Sequence, residues 1–251
     1  MTPQSASRSA NRLLSILPDR DFALLQPFLK EVVLETKQLI ERPQQTIEQV
    51  HFVTRGQISV IATSPLNDQR VEVAMIGPEG MTGLPVVLGT DRATNEAMVQ
   101  SAGTSLALSS SQLRAALQAS ATLHATLLRF VHAVLAQASQ TALANGRGQL
   151  DQRLARWLLM WQDRLQAPGL TVTHEFLSLL LGVRRQGVTE TLHKLEAAGL
   201  IKAGRNLLTV LDRDGLKRLA GGFYGAPEAE YERLLSGGAR HTRPDSEREP
   251  S

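Results

Sequence analysis

"HEFLSLLLGVRRQGVTETLHKL", residues 174–195, sets two adjacent arginines between a Leu-Gly-Val and a run with helical spacing. Nothing in an ordinary core calls for two neighbouring guanidinium groups at the start of a helix. The stretch divides into helix, tight turn and helix. Leu177, Leu181, Val183 and Val188 fall at the interior positions of a helix-turn-helix; Ser178 is small where the helices cross, and Gly182 permits the turn. Thr173 is placed to cap the first helix, with Glu175 in its first turn. Directly behind, "GLIKAGRNLLTVLD" (199–212) stops the second helix at Gly199 and folds into a short hairpin, a wing.

The second helix begins near Arg184. Its outward positions are Arg184, Arg185, Gln186, Thr189, Glu190 and His193; its inward ones are Val188, Leu192 and Leu195. In such motifs the first residues of the second helix meet base edges in the major groove. Arginine pairs bidentately with guanine, Gln favours adenine, and Glu accepts from cytosine N4. Arg185 is therefore assigned to bases, with Gln186, Thr189, Glu190 and His193 near it. Arg184 and Lys194 serve bases or phosphate equally well. Arg205, at the wing tip, fits a backbone contact, and Thr173 is counted with this DNA-facing set. The bland alternative is that Arg184 and Arg185 pair with acids such as Glu190 on a solvated face.

Charge is concentrated around the same stretch. Residues 1–144 carry 11 Lys+Arg and 11 Asp+Glu, residues 145–220 carry 12 and 7, and residues 221–251 carry 4 and 6. A local positive field suits a polyanionic partner, although a basic solvated face has the same composition.

Working outward, residues 32–112 have a different texture. "VVLETKQLI", "QVHFVTRGQISVIAT", "RVEVAMIG" and "AMVQSAGTSLALSSS" alternate or run in β-branched residues, with turn residues between them, as in a sandwich or small barrel. "SPLNDQ" (64–69) has hairpin-loop chemistry, and "GPEGMTGLPVVLG" (77–89) makes tight turns or admits a ligand to the backbone. Two short helices broken at Pro18 precede this segment.

From residue 111, "SQLRAALQASATLHATLLRFVHAVLAQASQTALAN" lacks Gly and Pro. Leu117, Ala121, His124, Leu128, Val131, Leu135 and Ala138 step by four and three, a heptad seam for helix pairing between two copies. A single buried amphipathic helix in a monomer is the alternative, and His124 then sits as a satisfied core histidine. "NGRGQ" (145–149) breaks this helix. A second follows, with Leu150, Leu154, Trp157, Leu158, Trp161 and Leu165 on one face.

In this order the pieces "IEQVHFVTRGQISVIA", "RVEVAMIGPEGMTGLPVVLG", "RLARWLLMWQDRL" and the opening stretch resemble the Crp/Fnr family of bacterial transcription regulators, over residues 13 to about 220. The resemblance implies an α+β fold: an N-terminal antiparallel, jelly-roll-like β-roll (13–112), a long dimerisation helix (113–146) and a C-terminal winged helix-turn-helix (147–220). Disordered ends at 1–12 and, apart from a short helix "PEAEYERLL", at 221–251 complete it. It also implies a homodimer on a palindromic double-stranded DNA site, half-sites ~34 Å apart, and RNA polymerase as a further partner. The chain opens without an apolar segment and a small-residue cleavage site, so no signal peptide and a cytoplasmic location are expected.

The family's cyclic-nucleotide binders hold phosphate with a Gly-Glu segment and an Arg-Ser or Arg-Thr pair. Here Gly80, Met81, Thr82 and Gly83 stand in the first region, and Glu96-Ala97 in the second, with Arg92 too early in register. A carboxylate facing a cyclic phosphate repels it, which argues against cyclic AMP. The absence of cysteine excludes an iron–sulfur cluster. His51 is the one β-segment histidine and reads as packed, which argues against haem. No metal site, catalytic residue or cofactor is expected: a cupin-like metalloenzyme needs two or three converging histidines, and there is no nucleophile motif or phosphate loop. The remaining alternatives are a β-roll scaffold for another protein and a constitutive DNA binder without a small-molecule effector.

Overall fold

The strands form where β-branched residues crowd the chain, and the helices form where Ala, Leu and Gln replace them. The computed structural model describes residues 8–67, 69–164, 169–204 and 207–236. In chain order the elements are α1 (Arg12–Ser15), α2 (Asp19–Leu25), β1 (Lys30–Leu34), β2 (Leu39–Glu41), β3 (Gln49–Thr63), β4 (Arg70–Ile76), α3 (Leu84–Val87), β5 (Glu96–Ser109), α4 (Ser110–Ala119) and α5 (Ala121–Arg147). The carboxy-terminal half holds α6 (Leu150–Arg164), β6 (Leu170–Thr171), α7 (His174–Leu181), α8 (Arg185–Ala197), β7 (Ile201–Gly204), β8 (Leu207–Val210), α9 (Arg213–Ala220) and α10 (Ala226–Ser236).

The roll is an antiparallel sheet in the order β1-β5-β3-β4, with β2 also paired to β5. β3 and β5 run long and change register at bulges, which bend the sheet around a small apolar centre of Leu34, Val53, Ile58, Ile76, Ala97 and Val99. Edge strand β4 is closed by a side chain rather than a strand: Gln137 on α5 accepts from Met75 N (2.6 Å) and donates to Met75 O (3.3 Å).

Three expectations about segment limits need correction. The long helix does not start near residue 113. It breaks at Ser120, where α4 and α5 meet at a 120° bend. The cause is local: Ser120 is extended (φ −141°), and its Oγ accepts from Leu123 N, capping α5. The side chains of Ser120 and Thr122 both donate to buried Asp21 (2.7 Å each), so α2 clamps the break. Leu117 therefore belongs to the core under α4 and not to the seam.

At the amino terminus, residues 1–7 lie outside the described residues, but Arg8–Ala10 form a 3-10 turn and Asn11 is fully buried. Its amide donates to Val53 O (2.7 Å) and Gly80 O (2.8 Å), and its Oδ1 accepts from Leu14 N (2.9 Å). Asn11 is the cap of α1 and also the tie between that helix and the roll. Asn11→Ala strands two buried carbonyls and uncaps the helix; we expect it to lower stability by about 2–3 kcal/mol, checked by urea unfolding against wild type.

At the carboxyl terminus the expected short helix is present as α10, yet it is not part of a loose tail. It packs along α5, with Phe130 and Tyr231 edge to face at 6.4 Å, Tyr231 donating to Glu79 O (2.6 Å) and Arg12 paired with Glu232. Burying Phe130 and Tyr231 against each other is what orders residues 226–236. Residues 237–251 lie outside the described residues.

α6 is apolar nearly all round, from Leu154 to Trp161, because it is covered on two sides. One side carries α7, α8, α9 and the wing; the other lies on β3, β4 and β5 through Ile61, Met75 and Met98. Polar pairs cross this second interface: Trp157 Nε1 to Glu72 (2.8 Å), Gln57 to Trp161 O (3.2 Å), and Arg164 to Glu79 (2.6 Å). Burial pushes the Glu72 carboxyl up to about 7, against the hydrogen bond from Trp157 and the charges of Arg156 and Arg164, which favour the ionised form. A carboxyl whose folded pKa lies above its ordinary value stabilises the fold fully at acid pH, and that contribution is lost as pH rises through about 7. Glu72→Gln keeps an acceptor for Trp157 without the charge. We expect its Tm to match wild type near about pH 5 and exceed it near about pH 8; equal Tm differences at both would show that Glu72 does not titrate in this range.

Candidate DNA-binding interface

The helix-turn-helix is built as its residue types dictate. Thr173 caps α7, its Oγ1 accepting from Phe176 N (3.1 Å). Gly182 ends it with φ +61°, a left-handed conformation that side-chain-bearing residues resist; Gly182 N donates to Leu179 O and Val183 N to Ser178 O. Leu177, Leu181, Val188, Leu192 and Leu195 are buried, and Val183 is partly buried against the same cluster. Thr191 is buried too, and its hydroxyl is satisfied by Gly187 O (2.8 Å), which explains how a polar residue sits on an inward position.

Arg184, Arg185, Gln186, Glu190, His193 and Lys194 are exposed on one side of α8, and Thr189 is half-buried at its edge. Glu190, the acid best placed to neutralise the arginines, instead accepts from Gln186 Nε2 (2.8 Å). Neither guanidinium has an ion-pair partner among the described residues. Arg184 is the residue before the first helical turn, and its side chain makes no capping bond. The first N–H groups of α8 therefore open outward beside two cations, an arrangement that attracts anions and acceptor-lined grooves.

The wing is present as β7 and β8, joined by β6 into a three-stranded sheet. Glu196, on α8, accepts from Ala203 N (2.9 Å) and so fixes the wing relative to that helix. Arg205, the expected tip contact, lies outside the described residues.

Two residues that the sequence reading passed over hold this interface in place. His174 Nδ1 is 2.9 Å from Thr189 Oγ1, linking the start of α7 to the outward face of α8. Arg153 donates to Leu181 O at the end of α7 and to Asn145 Oδ1 (3.0 Å), spanning the "NGRGQ" break. Burial lowers the Arg153 pKa. The signal available for Arg153 was its place on α6, directly before the buried run; only the fold shows that it faces the turn.

The roll cavity gathers the expected effector residues only in part. Thr82, Gly83 and Ala97 line a cavity of about 170 Å³ with Glu41, Val131 and Leu135. Met81 is fully buried and bridges to Phe52, and Gly80 packs under Phe130, where a Cβ would come within 2.3 Å of the ring. Gly83 has φ +77°, and a Cβ there would meet Val50 at 2.2 Å, so both glycines serve close packing. Arg92 is exposed and donates to Gln44 O (3.1 Å). Glu96 does not face the cavity: strand alternation turns it away, to pair with Arg70 at 3.1 Å, while Ala97 points in. The carboxylate that does enter is Glu41, which accepts from Gly83 N at 2.6 Å and whose pKa is raised by burial. His51 is buried, its ring 3.0 Å from Ser105 Oγ, and burial lowers its pKa to about 4.

A winged helix-turn-helix with an unpaired cationic helix start, joined to a β-roll by a long helix, is the architecture of a DNA-binding domain. Residues 152–219 match the Crp-like helix-turn-helix domain, and over most of its length the chain has the fold of solved Crp/Fnr regulators. FixK2 from Bradyrhizobium japonicum is similar over 77% of this chain and 98% of its own, at TM-score 0.67 and 19% identity. A Crp/Fnr-family regulator from Eubacterium rectale is similar over 84% and 99%, at 0.66 and 18%. The c-di-GMP-responsive regulator CLP of Xanthomonas campestris is similar over 78% and 100%, at 0.61 and 18%. No curated protein matches the chain in sequence.

Proposed function

We propose that the protein regulates transcription as a homodimer that reads a roughly palindromic DNA site, with an effector other than cyclic AMP. The observation that carries the DNA reading is the pair Arg184–Arg185, exposed and unneutralised at the open start of α8. In this reading Arg185 contacts bases, Gln186, Thr189, Glu190 and His193 flank it, and Thr173, Lys194 and Arg205 complete the set with Arg184. Selection of bound sequences from random DNA tests it: the expected product is a two-fold symmetric motif with half-sites ~34 Å apart, and recovery of unrelated sequences counts against it.

The dimer reading rests on α5. Ala121, Leu128 and Leu135 are exposed at successive heptad positions, Leu128 at 39% and Leu135 at 59%. An apolar line of that kind on a long helix suits a second copy. The other half of the expected seam is turned toward its own roll: Val131 is buried, and His124 lies 3.0 Å from Val87 O, with Ala138 at intermediate exposure. A contact with RNA polymerase and a cytoplasmic location accompany this reading.

Against cyclic AMP stands Glu41, which already takes the Gly83 N–H an incoming phosphate would use and adds a like charge. The packing of His51 and its contact with Ser105 argue against its holding a haem. A protein that binds its operator equally with and without every candidate ligand would be the constitutive form of the same regulator.

A further inference from the structure

The cavity of the roll holds one charged group among its described lining residues, the carboxylate of Glu41. Glu41 is half-buried rather than sealed in the core. Its hydrogen bonds come from neutral donors, the Gly83 N–H (2.6 Å) and the Thr82 hydroxyl. No Arg, Lys or His is among the described lining residues, and none pairs with Glu41 among the described residues. Burial raises its pKa, and no cation offsets that effect. A carboxylate drawn out of water without a countercharge is costly, and a cation brought in from outside relieves the cost.

The remaining walls decide what kind of cation. Val60, Leu84, Pro85, Leu88 and Leu135 line the cavity, and all of them keep accessible surface. A metal ion asks for several oxygen ligands, about six to eight for calcium. Among the described residues there is no group of three or more His, Cys, Asp or Glu able to hold one. An apolar cavity with a single carboxylate suits an ammonium group on a hydrocarbon body instead. Thr94, exposed, and Asn95, half-buried, also line the cavity and bring side-chain oxygens that accept further N–H groups. At the packing density of protein interiors, 170 Å³ holds a ligand of roughly eight to ten non-hydrogen atoms.

We infer that the roll cavity binds a small primary monoamine. Its ammonium group donates to Glu41 and to the side-chain oxygens of Thr94 or Asn95, and its hydrocarbon body lies among Val60, Leu84 and Leu135. Those three residues belong to β3, α3 and α5, so the ligand draws three elements together. Leu135 also stands in the exposed apolar line of α5. The amine is then the effector whose class was left open above; that role rests on the regulator reading, whereas the binding does not.

The test uses the full chain without DNA. The probes are 2-phenylethylamine and hexylamine at millimolar concentration, both protonated at neutral pH as a lysine side chain is. Among the controls, 2-phenylethanol has the aryl body without the charge, phenylacetate reverses the charge, and methylamine lacks the body. Calorimetric titration and thermal unfolding are expected to show binding and a raised Tm for at least one probe, and the better of the two tells whether the body is aryl or alkyl. The three controls should bind at least about tenfold more weakly. Glu41→Gln keeps an acceptor for the Gly83 N–H and removes the charge; it should retain wild-type circular dichroism and weaken amine binding by about tenfold or more. The site is refuted if neither amine binds, if 2-phenylethanol or phenylacetate binds wild type as tightly as the amine, or if folded Glu41→Gln binds the amine as well as wild type. Should that variant not fold, the controls on the wild-type protein decide. A protein that takes the amine but no DNA overturns the regulator reading alone, and one that takes DNA but no amine overturns this site alone.

Discussion

Replacing Arg185 by Ala is expected to weaken operator binding by about 1–3 kcal/mol, roughly ten- to a hundredfold, and to relax base preference at one position of each half-site. The residue is exposed and unpaired, so its removal costs the fold nothing and the loss belongs to the contact. Arg184→Ala separates the two roles left open for that side chain. A uniform loss across sequences with a shallower salt dependence marks a phosphate contact; a loss confined to one base marks a second base contact. The double replacement should bring specific binding close to the level on random DNA. Competition titrations with cognate and scrambled duplexes read all three, and unchanged affinity in the double variant would remove the basis for the interface.

The second large effect is expected at the exposed line of α5. Leu135→Glu sets a charge where the proposed partner helix would pack, against its own copy across a two-fold axis. At 59% exposure the side chain contributes little to the protomer's own core. The protomer should therefore stay folded, with wild-type circular dichroism, while the dimer dissociates in analytical ultracentrifugation. Because a palindrome is read by two linked copies, affinity for the full site should fall by about a hundredfold or more, while affinity for an isolated half-site should hardly change. A Leu135→Glu protein that remains dimeric would move the interface away from this face.

The helix-turn-helix was legible in the sequence because its constraints are local. Gly182 must adopt positive φ, Thr173 must cap, and the spacing of Leu177, Val188 and Leu192 assigns the faces. The roll was legible as strands, but not in the facing of individual residues near its cavity. One step of alternation separates Glu96 from Ala97, and the wrong member was expected inward. Glu41 was invisible as a cavity residue because the contact with Gly83 joins segments 42 residues apart. The break at Ser120 was hidden for a different reason. No Gly or Pro marks it; a serine cap and two bonds to Asp21, 99 and 101 residues away in sequence, produce the bend. The ordering of Asn11 and of α10 likewise depends on partners supplied by the roll and by α5, so composition alone read both segments as loose.

The central claim is that the cationic start of α8 engages the DNA backbone and groove. The dependence of binding on salt tests it most directly. For double-stranded DNA, log K falls against log salt with slope about −0.9 for every phosphate neutralised. The account predicts a steep, linear fall for the wild-type protein, and a slope made shallower by at least about one such unit when both arginines are replaced. Binding that is indifferent to salt, or a slope that the double replacement leaves unchanged, would contradict it.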